Sequence, residues 1–155
     1  MAIPNAVAAQ DNPDFSGRWV LVSSSTPDPA AAQTLTVRQT VTRTNVFGRR
    51  IEPFFSALIV ERQFGDRAAT DTYQIGVQGG AVGGGGAESR HSVHWEGNRL
   101  VIETGSYSGP ARRDGPYSEH IEEWQVDAAG RLVLSVTDRR SGAQETSSTL
   151  TYQKN

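Results

Sequence analysis

Hydrophobic and polar side chains alternate along residues 89–105, in two runs that flank the short polar connection Glu96-Gly97-Asn98. Alternation of this kind is typical of a half-buried β-strand, and two such runs around a glycine-containing connection are typical of a β-hairpin. The pattern divides the side chains between two faces. One face of the first strand carries His91, Val93 and Trp95, and one face of the second carries Leu100, Ile102 and Thr104.

The same period-two alternation recurs before and after this hairpin. It predicts further strands over residues 19–22, 35–44, 55–64, 70–77, 117–126, 131–138 and 146–153. No segment shows a convincing helical period. Residues 106–116 are rich in turn-forming residues and predict a long connection. Residues 78–87 are mostly glycine and predict a mobile loop, because ordering a glycine run costs much backbone entropy.

Roughly eight to nine strands joined mostly by short connections predict an all-β fold. A single antiparallel up-and-down β-barrel is the favoured architecture, because closure removes the exposed sheet edges that invite aggregation. The length of 155 residues fits one domain with a real core. We expect residues 14–155 to form the barrel and residues 1–13 to be a disordered leader or the remnant of a signal peptide.

The N-terminal segment and the composition indicate where the protein is located and which partners and chemistry are excluded. Ala6-Val7-Ala8 has the small-residue spacing of a signal-peptidase site, which predicts a periplasmic or secreted protein; a disordered alanine-rich leader is the other interpretation. The net charge of -2 supplies no basic field for nucleic acid. The chain contains no cysteine, which excludes disulfides and thiolate chemistry. No apolar run approaches the roughly 20 residues that span a bilayer.

Three short motifs resemble known proteins. Asp14-Phe15-Ser16-Gly17-Arg18-Trp19 is similar to the opening of lipocalin and calycin barrels, where Gly-x-Trp starts the first strand. Together with the Trp-Glu-Gly-x-x-Leu-Val-Ile segment at residues 95–102 and Glu122-Glu123-Trp124, it resembles a family of small secreted bacterial proteins with a lipocalin-like barrel. The resemblance implies a barrel and assigns no ligand. Eukaryotic lipocalins often cover the first-strand Trp with an Arg on the last strand, and residues 147–153 contain none.

Six residues are candidates for ligand binding if apolar strand faces point inward. Aromatic side chains offer flat apolar walls, and polar side chains on the same faces could orient a ligand. The aromatic residues could equally be core filler, with Trp19 closing one end of the barrel, and the polar residues could be solvated at an edge. We expect His120 and Glu122 to form an interior polar cluster, with His91 opposite. The candidates are Tyr73, His91, Trp95, His120, Glu122 and Trp124.

Other chemistry has weaker support. His91 and His94 alternate to opposite faces of one strand, so no metal site is expected. The glycine run lacks the Lys and Ser/Thr of a phosphate-binding loop, and no cofactor is expected. Arg112-Arg113-Asp114 and Arg49-Arg50 are either a solvated rim or an anion-recruiting gate at the mouth of the barrel.

Three functions follow from these features. The favoured one is a binding protein of the bacterial cell envelope that holds a small hydrophobic or aromatic molecule, with residues 78–87 and 106–116 flanking the mouth. The second is a cofactor-free isomerase, cyclase or hydrolase that uses His120 and Glu122 as catalytic residues. The third is an interaction module that docks a protein partner. The sequence does not fix the oligomeric state.

Overall fold

The computed structural model describes residues 12–27, 31–42, 45–46, 49–50, 54–76, 78–82, 88–107 and 117–155. These residues form twelve β-strands and no helix. The strands are β1 (Gly17–Ser24), β2 (Thr34–Thr42), β3 (Asn45–Val46), β4 (Arg49–Arg50), β5 (Phe54–Phe64), β6 (Arg67–Gln74), β7 (Gln78–Val82), β8 (Glu88–Glu96), β9 (Arg99–Tyr107), β10 (Tyr117–Val126), β11 (Leu132–Arg140) and β12 (Thr146–Lys154).

Ten of these strands form one antiparallel sheet in the order β6-β5-β2-β1-β12-β11-β10-β9-β8-β7. The short hairpin β3–β4 stands apart between β2 and β5. The two outermost strands, β6 and β7, follow each other in the chain. The turn between them is hydrogen-bonded to the next strand on each side, β5 and β8. Ile75 N donates to Ser56 O at 2.9 Å, and Gly76 N donates to Val93 O at 2.7 Å. The predicted all-β up-and-down barrel is therefore confirmed, with a nearly closed sheet.

The β8–β9 hairpin forms where the alternation predicts it. Glu96 pairs with Arg99 around the two-residue turn Gly97-Asn98. Gly97 has a φ of 67°, in the left-handed region that favours glycine. Val93, Leu100 and Ile102 are buried in the core, so the predicted inward face is the observed one.

The prediction of a mobile loop over residues 78–87 is wrong for its first half. Gln78–Val82 is strand β7, paired in register with β8 from Gln78–Ser92 to Val82–Glu88. The physical reason is that a β-ladder is held by backbone hydrogen bonds, which glycine makes as well as any residue, and the edge of β8 would otherwise be unpaired. Residues 83–87 and 108–116 lie outside the described part of the chain.

The two ends of the barrel differ. The turns β8–β9 and β10–β11 and the start of β1 lie at one end, which we call the closed end. There Phe15, which precedes β1, is fully buried; its ring stacks on Trp95 at 5.8 Å and meets Trp124 edge-on at 5.8 Å. The opposite end, where β5 turns into β6 and β11 into β12, we call the open end.

The last strand, β12, packs beside the Gly-x-Trp motif at the start of β1. Gly17 has a φ of 135°, and a side chain there would meet Lys154 Cε at 2.7 Å. The same lysine places its ammonium 5.4 Å from the centre of the Trp19 ring, within range for a cation–π interaction. Lys154, the last residue of β12, thus covers the first-strand tryptophan, the place where eukaryotic lipocalins often have an Arg. Trp19 itself is buried and donates its indole N–H to Phe15 O at 2.8 Å, so the two residues seal the closed end together.

Candidate functional site

A cavity of about 350 Å³ occupies the lumen near the open end. One part of its wall is apolar and is formed by the side chains of Ala31, Ala32, Phe64, Ile102, Leu134, Val136, Leu150 and Tyr152. The other part is polar and is formed by Arg62, Asp71, Tyr73, Thr104, His120, Glu122 and Asp138. The cavity therefore offers one apolar surface and one strongly charged surface to the same occupant.

The charged surface is built on a contact between opposite walls. Arg62 on β5 donates from Nη2 to Oε2 of Glu122 on β10 at 3.1 Å. Four strands separate β5 from β10 in either direction around the sheet, so this ion pair spans the lumen. Both groups are withdrawn from water: the side chain of Arg62 is 14% exposed and that of Glu122 is 8% exposed.

Glu122 is further held by its own strand. Strand alternation puts His120, Glu122 and Trp124 on the inner face of β10. The indole N–H of Trp124 donates to Oε2 of Glu122 at 2.8 Å, and His120 Nε2 lies 3.0 Å from Oε1. Each carboxylate oxygen thus has a described partner, as a buried carboxylate requires.

The network continues from both ends of this pair. Arg62 Nε donates to Asp71 Oδ2 at 3.2 Å, and Arg62 Nη2 donates to the hydroxyl of Tyr73 at 3.1 Å. On the far side, His120 Nδ1 lies 2.7 Å from Oδ1 of Asp138. The result is a row of alternating charges across the barrel, which we call the ion row: Asp71, Arg62, Glu122, His120 and Asp138.

The ion row sets the protonation of its members. Burial alone would raise the pKa of Glu122, but the hydrogen bond from His120 and the charge of Arg62 outweigh it and lower that pKa to about 2. Hydrogen bonds to Glu122 and then Asp138 outweigh desolvation and raise the pKa of His120 to about 9. Burial raises the pKa of Tyr73, which stays a neutral hydroxyl at pH 7. His120 is consequently a cation at neutral pH.

The six predicted ligand-binding residues fall into three groups. Tyr73, His120 and Glu122 line the cavity. Trp124 is fully buried beneath it and holds Glu122, while Trp95 packs against Phe15 at the closed end. His91 is exposed and does not line the cavity. The predicted pairing of His120 with Glu122 is observed on an inward-facing strand inside the sheet, and His91 does not belong to it.

The sequence analysis did not identify three members of the ion row. Each of them nevertheless lies on the inward-facing side of its strand, two residues from another inward-facing position. Arg62 continues the inward-facing positions Leu58 and Val60 of β5. Asp138 continues Leu134 and Val136 of β11. Asp71 precedes Tyr73 by two residues on β6. A charged residue on the apolar face of an alternating strand can be recognised in the sequence. Only the residues of β10 were identified in this way.

The arrangement suits binding better than base catalysis. Both ring nitrogens of His120 face carboxylate oxygens, so in this geometry neither nitrogen is free to accept a proton from a bound molecule. Within the described residues, no group of three or more His, Cys, Asp or Glu has the geometry to hold a metal ion. The same residues contain no helix long and apolar enough to cross a membrane.

Solved structures with the same fold share little sequence with this chain. The zebrafish ileal bile acid-binding protein complexed with cholic acid matches at a TM-score of 0.55 and 16% identity, over 91% of this chain and 98% of that one. Lipid binding protein 8 of Caenorhabditis elegans matches at 0.55 and 10% identity, over 91% and 95%. A protein described as the REP1-NXSQ fatty acid transporter matches at 0.50 and 13% identity, over 90% and 95%.

The fold is the antiparallel β-barrel that these solved structures share. This is the kind of barrel that the Gly-x-Trp opening predicted. No protein-family model matches the chain, and no curated protein matches it in sequence. The likeness is therefore one of architecture, and the chemistry of the cavity has to be derived from this chain's own residues.

Proposed function

We propose that this protein binds a small hydrophobic molecule in the cavity at the open end of its barrel. One observation carries the proposal: a space of about 350 Å³ bounded on one side by apolar side chains and on the other by a fixed polar row. Ligand pockets are typically about 300–1,000 Å³, mostly apolar, with few polar groups that fix orientation.

Two further points support a binding role. Phe15, Trp95 and Trp124 pack together at the closed end, and the cavity lies towards the open end. The structural neighbours are described as binding or transporting lipids, bile acids and fatty acids, which makes the barrel lumen the natural place for a ligand. The strand ends that flank residues 83–87 and 108–116 lie at the open end, as the cavity does.

The test is a fluorescence titration with N-phenyl-1-naphthylamine, an uncharged apolar probe that brightens when it leaves water. We expect saturable binding to the wild-type protein. Val136→Phe should weaken it at least about tenfold, because Val136 lines the cavity and a larger ring would occupy the space. Val133→Phe is the matched control, since it makes the same change on the outward face of β11.

The circular dichroism spectrum and the midpoint of thermal unfolding establish that both variants are folded. Equal weakening by the two substitutions would place the probe elsewhere and contradict the proposal. Failure of the wild-type protein to bind this probe, together with failure to bind the alkyl compounds used below, would also contradict it.

We further propose that the protein acts in the bacterial cell envelope. The support is the Ala6-Val7-Ala8 spacing and the absence of cysteine, which leaves no thiol to be oxidised there. Cell fractionation of a bacterium that expresses the natural gene tests this. Recovery of the protein in the periplasm or medium is expected, and recovery in the cytoplasm alone would contradict it.

A further inference from the structure

The polar wall of the cavity carries an excess of negative charge. The ion row has three carboxylates and two cations, so it is left with one net negative charge when His120 is protonated and two when it is not. Each cation lies between two carboxylates. Arg62 contacts Glu122 and Asp71, and His120 contacts Glu122 and Asp138. Neither positive group is therefore an uncompensated charge that could attract an anion.

The two ends of the ion row are its most exposed members, ahead of His120, whose side chain is 41% exposed. The side chains of Asp71 and Asp138 are 48% and 50% exposed, and both line the cavity. In each, one oxygen contacts the row: Oδ2 of Asp71 and Oδ1 of Asp138. Among the described residues, Oδ1 of Asp71 and Oδ2 of Asp138 have no hydrogen-bond partner. These two oxygens are acceptors at the rim of an apolar space.

We propose that the cavity is specific for an apolar molecule that carries a basic amine, and that it discriminates against carboxylic acids. The inference rests on the proposed function and names the ligand class of that same site. Its basis is the net negative charge of the ion row and the position of its two half-exposed aspartates at the rim of the apolar pocket, where they attract an ammonium group and repel a carboxylate. In this respect the cavity is expected to differ from those of structural neighbours described with fatty acids or cholic acid, which are carboxylic acids.

The size of the difference in affinity between charged ligands depends on how far water screens the aspartates at the rim of the cavity. Two unit charges interact most strongly in a site shielded from water and most weakly in bulk water, where the dielectric constant is highest. The half-exposed aspartates lie between these limits. A swap from a positive to a negative head group on one apolar chain is therefore expected to change affinity by at least about tenfold.

The experiment compares octylamine, octanol and octanoate by isothermal titration calorimetry at pH 7 and low salt. The three compounds share the same alkyl chain and differ in the charge of the head group. An alkylamine is protonated at this pH, as a lysine side chain is, and octanoate is ionised. The expected order of affinity is octylamine, then octanol, then octanoate, and the gap between the first and last should narrow as salt is added.

Asp71→Asn is the decisive variant. Asparagine can keep the hydrogen bond from Arg62 Nε, but it removes one charge from the row without altering the shape of the cavity. We expect it to weaken octylamine about fivefold and to strengthen octanoate. Glu61→Gln is the matched control, because Glu61 is exposed on the outer face of β5 beside Arg62 and carries the same charge. It should leave all three affinities unchanged.

The outcomes separate this inference from the proposed function. Binding of octanoate as tight as that of octylamine, or binding of octanol equal to that of octylamine, would overturn the amine specificity. Identical octylamine affinity in wild type and Asp71→Asn would overturn the role of the ion row. If N-phenyl-1-naphthylamine binds and none of the three alkyl compounds does, the inference fails while the binding function stands.

Discussion

Arg62 and Glu122 join opposite walls of the barrel through one hydrogen-bonded ion pair of 3.1 Å. The pair connects residues 60 positions apart in the chain, and it lies between the packed closed end and the cavity. Because both side chains are largely buried, each depends on the other to offset the loss of water. The pair is therefore a structural brace and also one boundary of the candidate ligand site.

Removing one member of this brace should destabilise the protein. Arg62→Met leaves Glu122 buried with His120 as its remaining cation, and we expect a loss of about 3 kcal/mol in the free energy of unfolding, measured with urea. The double variant Arg62→Met with Glu122→Gln should recover part of that loss, since no buried charge is then left unpaired. Glu123→Gln removes the exposed pair with Arg99 and should cost under about 1 kcal/mol. Equal losses at both sites would contradict this account.

The stability of the fold should depend on pH in a defined window. Glu122 has its pKa lowered from 4.5 to about 2, so its contribution is present above pH 4.5 and is lost as pH falls towards 2. His120 has its pKa raised from 6.5 to about 9, so its contribution is complete below pH 6.5 and is lost as pH rises through 9. Urea unfolding should show greatest stability between pH 4.5 and 6.5.

Two histidine variants test which group causes the free energy of unfolding to fall as the pH rises. His120→Gln should flatten the fall in stability between pH 6.5 and 9, because the titrating ring is gone. His91→Gln changes an exposed histidine of β8 and should leave the decline in place. A decline that persists in His120→Gln would show that another group titrates.

The glycine at the start of β1 should tolerate no side chain. Gly17→Ala puts a side chain on a residue with a positive φ and makes the flexible end of Lys154 move from its place over Trp19, and we expect a loss of about 2 kcal/mol. Gly142→Ala is the comparison, because Gly142 has a φ of 74° but open space around it, and about 1 kcal/mol is expected. Thermal or urea unfolding measures both. If Gly142→Ala proved the more costly change, the contact with Lys154 would have no energetic weight.

Phe15 should be as important to the fold as a residue within a strand. Phe15→Ala removes a fully buried ring that contacts Trp95 and Trp124, so a loss of about 3–5 kcal/mol and a change in tryptophan fluorescence are expected. Phe64→Ala truncates a half-buried ring at the open end and should cost less. A small effect of Phe15→Ala would show that residues before β1 are dispensable to the core.

The architecture was predictable because most strands show a local alternation of apolar and polar residues. Strand β10 begins and ends at the predicted residues, Tyr117 and Val126, since apolar or buried positions alternate along it. Strand β7 was missed for the opposite reason. Its sequence, Gln-Gly-Gly-Ala-Val, contains two adjacent glycines and shows no alternation of apolar and polar side chains, so its pairing depends on the backbone of β8.

The candidate site was only partly predictable. The link between His120 and Glu122 is local, because residues two apart on a strand share a face. The contact of Glu122 with Arg62 depends on how the sheet closes, and no short-range pattern in the sequence encodes that closure. The same holds for Lys154 over Trp19, which joins the last strand to the first.

The first strand and the last residue meet at the closed end, where Asn155 N donates to Arg18 O at 2.9 Å. The cavity lies towards the other end of the lumen. A linker or solid support attached after Asn155 would consequently leave the ligand side facing solution. Tethering through Asn155 would let this chain serve as a capture reagent or sensor without obstructing the cavity.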